Sequence, residues 1–132
     1  MSKLLIFGFC AAMAASCFGE NASCKTEPVN GARKILDIRP RPGNPRNSEG
    51  DFVRLKDGTL LFAWSRYYEA GALENSSWDN GDADIVHRRS ADNGETWSAA
   101  DEMLVKNDAM NVMSVSFLRL GDGRIALFYI RK

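Results

Sequence analysis

Ser90-Ala91-Asp92-Asn93-Gly94-Glu95-Thr96-Trp97 is the most regular grouping of hydroxyl, carboxyl and aromatic side chains in this chain, with the spacing S-x-D-x-G-x-T-W. Asp92 can fold its carboxylate back onto backbone amides, Gly94 can take the positive φ of a tight turn, and Trp97 can lie over the turn as an apolar lid. Such an Asp-box hairpin stabilises its own turn, and it offers no nucleophile or base to a substrate. The alternative is an ordinary Asp-Asn-Gly turn beside a chance Trp. Reactive side-chain types lie elsewhere. Asp79, Asp82 and Asp84 crowd one short stretch, but their spacing does not match the helix-loop-helix calcium pattern. His87 is the only histidine and cannot make a metal site alone, so it reads as a partly exposed strand residue. Tyr67 and Tyr68 present faces that could stack on a sugar ring or pack at a strand end. No metal site and no cofactor is expected.

The elements that must position these groups come from an internal repeat. Phe52 to Arg66 contains a strand, an Asp57-Gly58 turn and a second apolar strand ending in Arg, and the pattern returns 65 residues later from Phe117 to Arg131 around Asp122-Gly123. Between the copies, Asp84 to Ser90 reads as a third strand and Trp97 to Val105 as a fourth. Four strands per period describes one propeller blade. The second copy stops after its second strand, leaving about one and a half blades, which cannot close. The chain is therefore expected to be a fragment of a longer protein. A complete six-stranded sandwich, or a propeller assembled from several short chains, is the alternative.

No stretch keeps helical periodicity, so the chain reads as all-β. The second repeat opens Asn111-Val112-Met113-Ser114-Val115, whose alternation places Asn111, Met113 and Val115 on one side and Val112 and Ser114 on the other. Asn111 and Ser114 are candidate polar pocket groups, or they satisfy strand-end backbone groups. Residues 67–81 form a long excursion rich in Gly, Asn, Ser and acids.

The 132 residues carry 17 basic and 17 acidic side chains, 45% hydrophobic and 26% charged overall, so nothing points to a nucleic-acid partner. Lys3 and the apolar run Leu4 to Ala15 read as a secretory signal peptide, too short to span a bilayer. Residues 1–19 are set aside on that basis, and the protein is expected to be exported. Ala14-Ala15-Ser16-Cys17 admits lipidation at Cys17, the one membrane attachment the sequence offers; plain cleavage near Gly19 is the other reading. Three cysteines, one inside the signal, give no disulfide framework. Residues 20–46, with all four prolines, read as an extended leader over the surface, and 47–132 as the repeat domain.

From Asn47 to Lys132 the chain resembles the sialidase (neuraminidase) superfamily of Asp-box β-propellers, six-bladed proteins that include bacterial exo-sialidases. The resemblance rests on the Asp box, on Phe62-Ala63-x-x-Arg66, and on the Asp79-Asn80-Gly81-Asp82-Ala83-Asp84-Ile85-Val86-His87-Arg88-Arg89-Ser90 block. It implies hydrolysis of terminal sugars from a glycan or glycoconjugate. Asp79 matches the family's acid/base Asp, with Asp82 the nearest competitor; a solvated loop acid or turn former is the other reading of Asp79, and a hydrophilic strand entry that of Asp82 and Asp84. A carboxyl beside the leaving oxygen, its pKa raised under a closing loop, suits that chemistry. The family's nucleophilic Tyr, activated by a Glu, lies in later blades.

One position departs from the family. Its first strand opens with an Arg that belongs to a three-Arg clamp on the substrate carboxylate, and that position here is Ser48, followed by Glu49. Arg46 could reach the same space only if the start of the strand were shifted by two residues. The resemblance thus implies a glycosidase whose sugar need not be sialic acid, with Arg46, Glu49, Arg66, Asp82 and Asn111 as candidate sugar contacts. Arg66 and its repeat Arg131 have an equally good structural role, each pairing with an acid at a blade end. A noncatalytic carbohydrate- or protein-binding propeller and a polysaccharide lyase are the competing functions.

Overall fold

The computed structural model describes residues 32–68 and 79–132. The expected signal peptide, Cys17 and most of the excursion lie outside them. The described residues are all-β: β1 (Arg46–Arg54), β2 (Leu60–Tyr67), β3 (Ala83–Ser90), β4 (Glu102–Val105), β5 (Val112–Arg119) and β6 (Ile125–Arg131). β1 to β4 form one antiparallel meander in chain order, and β5 pairs with β6 in a second sheet. Each repeat is thus a hairpin closed by its Asp-Gly turn, with Gly58 and Gly123 at φ of 86° and 84°. The fourth strand is shorter than expected, because residues 97–101 leave the ladder before Glu102 pairs with His87.

β2 is apolar on both faces because both are covered. Ala63 and Ile85 pack against Val112 and Val115 of the second sheet, with Leu104, Val105, Phe117 and Leu127 at the margin. On the opposite face Phe62, Trp64 and Val86 meet Leu36, Ile38 and Trp97. The leader therefore does more than run over the surface. It supplies the apolar cover that the outer face of the first sheet needs. A tight turn at Arg41-Pro42-Gly43-Asn44, with reciprocal backbone bonds of 2.9 and 2.8 Å, delivers it to β1. Asn47 then accepts the buried Trp64 indole N–H at 3.0 Å, meeting the one polar demand of that ring.

Two register breaks shape the ends of the sheets. In β1 the pairing shifts between Ser48 and Gly50, leaving Glu49 as the extra residue of a bulge. In β5 it shifts between Met113 and Ser116, with Ser114 at φ 61°. The expected alternation fails there: Val112 and Val115 share one cluster, since the left-handed Ser114 turns the strand by one residue. Side chains of the first sheet bind backbone of the second at this break. Ser65 Oγ accepts from Ser114 N–H at 3.1 Å, and Asp51 Oδ2 accepts from Phe117 N–H at 2.7 Å.

The Asp box closes as its residue types dictate. Asp92 Oδ1 accepts from Thr96 N–H at 2.8 Å and from Ser90 Oγ at 2.8 Å, while Ser90 Oγ accepts from Gly94 N–H at 2.8 Å. These bonds, the Thr96 hydroxyl foremost, bring the Asp92 carboxyl down to about 2. Trp97 donates to Gly94 C=O at 3.2 Å and meets Phe62 edge-on. Gly94 has φ 93°, and a Cβ there would stand 3.3 Å from Ile35 Cδ1. Gly94→Ala should cost about 1–2 kcal/mol from the left-handed backbone alone, read as a lower urea midpoint at unchanged slope.

His87 is buried, not partly exposed, because it shares the face of Ala63 and Ile85 that the second sheet covers. Burial pushes its pKa below the ordinary 6.5, Glu102 opposes this, and Arg89 reinforces it. The folded state thus prefers neutral imidazole. The stability from that preference is complete above pH 6.5 and is lost as pH falls through the folded value, since the unfolded chain takes up the proton first. Melting at pH 7.5 and 5.5 tests this: His87→Gln should show a smaller drop between them, and an equal drop would remove His87 as the cause.

Candidate functional site

The start of β1, the end of β2 and the start of β3 meet at one end of the first sheet, opposite the Asp box. The polar side chains there come from both repeats. Arg46 stands opposite Tyr67 in the β1–β2 ladder, and directly opposed residues share a face. Its guanidinium lies 4.6 Å from the Tyr67 ring centroid and reaches Asp79 Oδ1 at 2.7 Å. Tyr67 is fully buried and its hydroxyl meets Met113 Sδ at 3.5 Å. Burial pushes the phenol above its ordinary pKa, against the pull of Arg46. The ring is a platform under the cation, so its packing role is the one seen.

Asp79 projects from the turn before β3 with 59% of its side chain exposed. That turn is gripped from the second sheet. Asn111, fully buried, donates from its amide to Asp79 C=O at 2.8 Å and to Gly81 C=O at 3.0 Å. Lys132 Nζ adds a bond to Asp79 C=O at 3.2 Å. Asn111 is itself fixed where β5 and β6 begin and end, its C=O accepting from Lys132 N–H at 3.0 Å. Glu49, exposed on the β1 bulge, accepts from Ser48 Oγ at 2.5 Å. The bulge adds one residue, not two, and Ser48 keeps its place opposite Ser65. Arg46 therefore does not take over the Ser48 position.

Three candidate residues thus come together, Arg46, Asp79 and Asn111, although they are far apart in sequence. Arg66 does not join them. It lies on the outer face with Asp101 Oδ2 at 3.4 Å and Tyr68 OH at 3.1 Å, while its repeat Arg131 pairs with Asp108 at 2.7 Å. Each of these strand-end arginines therefore pairs with an acid. Asp82 is exposed, its backbone C=O accepting from Tyr68 N–H at 2.9 Å. Asp84 is wholly buried, held by Lys106 Nζ at 3.1 Å and Asn107 N–H at 2.7 Å. It is committed to structure. Ser114 gives its N–H to Ser65 and its conformation to the β5 bulge.

Sequence reasoning missed Asp101. Its carboxylate, 3% exposed, accepts from Arg88 at 2.8 Å, Arg41 at 3.1 Å and Arg66 at 3.4 Å, tying leader, β2 and β3 together. The available signal was strand parity: Arg66 and Arg88 fall on the same face of paired strands and need an acid between them. Among the described residues no group of three or more His, Cys, Asp and Glu side chains is placed to hold a metal ion. No protein-family model matches the chain, and no curated protein does.

Proposed function

We propose that the two sheets are successive blades of an Asp-box β-propeller and that the protein, exported from the cytoplasm, hydrolyses glycosidic bonds in glycans or glycoconjugates. Asp79 is the general acid/base in this reading, and Arg46 and Glu49 contact the sugar. The observation that carries it is the 2.7 Å meeting of Arg46 with an exposed Asp79 at the strand ends. Glycosidic cleavage needs a carboxyl positioned beside the leaving oxygen, and Asp79 is held at its backbone while its side chain stays open to an incoming glycan. A substrate that draws Arg46 onto its own oxygens opens Asp79 Oδ1 to the leaving group. The 65-residue repeat and the face-to-face stacking of its two hairpins support the propeller.

The test is incubation of the protein with a panel of aryl glycosides and natural oligosaccharides, with released sugar quantified by chromatography. Free sugar supports the reading. Glycan retained on the protein without release would make it a binding module, and an unsaturated product absorbing in the ultraviolet would make it a lyase.

A further inference from the structure

We infer that Asn111 is a positioning residue, a latch from the second repeat that sets where the Asp79 turn of the first repeat stands. Both amide protons of its fully buried side chain are spent on that turn, one on Asp79 C=O and one on Gly81 C=O. A carboxamide is suited to this, because one nitrogen carries two donors at a fixed angle and can span carbonyls two residues apart. The latch is anchored on its own side. Asn111 C=O accepts from Lys132 N–H, Met110 N–H bonds Lys132 C=O at 2.9 Å, and the Lys132 ammonium returns to Asp79 C=O. On the first sheet, the Tyr68 N–H to Asp82 C=O bond at 2.9 Å holds the neighbouring residue of the turn. The backbone of Asp79 is therefore held by the second repeat, while its carboxylate is held by Arg46 of the first. The Arg46–Asp79 geometry depends on the two repeats being docked.

Only the catalytic consequence of this latch rests on the glycosidase reading, so the test is read first without turnover. In the intact protein, the Asn111 carboxamide protons should exchange as slowly as amides of the β2–β3 ladder; exchange at the rate of an exposed Asn would overturn the latch, and this needs no variant. In Asn111→Ala, hydrogen exchange at Tyr68, whose N–H is held by Asp82 C=O of the same turn, should rise about tenfold, as expected for local opening, with core amides of Trp64 and Val86 nearly unchanged. The Arg46 guanidinium resonance should move toward that of a solvated arginine. A uniform rise across the core, or an unmoved Arg46 signal, would leave Asn111 a merely structural residue and overturn the proposal. Lys132→Ala, which removes one bond from the exposed side, should give a smaller change confined to the same turn. If the protein turns over a glycoside, Asn111→Ala lowers kcat with KM nearly unchanged; without turnover, the exchange and Arg46 results still decide the latch.

Discussion

On the proposed glycosidase reading, replacing Asp79 by Asn should lower glycoside turnover by about 10²- to 10⁴-fold, the range a positioned general acid or base supplies, while thermal stability stays nearly constant. The two readouts separate because the Asp79 side chain is 59% exposed and its carboxylate pairs with Arg46. Exposed pairs of this kind contribute roughly 0–1 kcal/mol, and Asn still offers Arg46 an acceptor oxygen. Its backbone anchor, through Asn111 and Lys132, is untouched by the change. Leaving-group dependence identifies the role. A glycoside with an acidic aryl leaving group needs little protonation and should lose less rate than an alkyl glycoside. An equal fold-loss on both substrates would remove Asp79 as the acid.

Asp101→Ala should destabilise the fold by about 3–5 kcal/mol, the range for stripping one partner from a buried ion cluster. The Asp101 side chain is 3% exposed, and Arg66 and Arg88 beside it are 19% and 14% exposed. Removing it leaves two largely desolvated guanidiniums facing each other with no anion between them. Tyr68 is the remaining partner of Arg66, whose Nε is already buried without one. The variant should also loosen the leader, since Arg41 loses its acceptor and Leu36 and Ile38 lie on the same face. Urea denaturation checks the magnitude. A loss no larger than that of Asp108→Ala, whose Arg131 pair is exposed, would mean the cluster contributes little.

These two residues show how far the sequence could be read. The Asp box was legible because its bonds close within eight residues, between Ser90 and Trp97, so spacing alone fixes the geometry. Both hairpins were legible for the same reason, each carrying an Asp-Gly turn inside an apolar alternation. Asp79, Arg46 and Asn111 were each singled out, but their meeting was not, because it depends on the bulge at Glu49 and on how the second sheet docks. A bulge leaves little trace in residue types. Ser114 illustrates this: it is an ordinary serine in an alternating run, yet it takes a positive φ where its N–H meets Ser65 of the other sheet. Asp101 was missed because the residues that need it are brought together from the leader, β2 and β3 by tertiary packing.

The bonds from Asp51 and Ser65 into the second sheet go to main-chain N–H groups of Phe117 and Ser114. A side chain that binds backbone reads the shape of its partner, and every residue but proline presents the same donor. The constraint on sequence is therefore one-sided. Asp51 and Ser65 are pinned by what they grasp, whereas these two bonds ask of Ser114 and Phe117 only a main-chain N–H. Copies of a repeat joined in this way can drift apart in sequence, and the second can acquire new side chains beside the Asp79 turn, without the two losing their alignment.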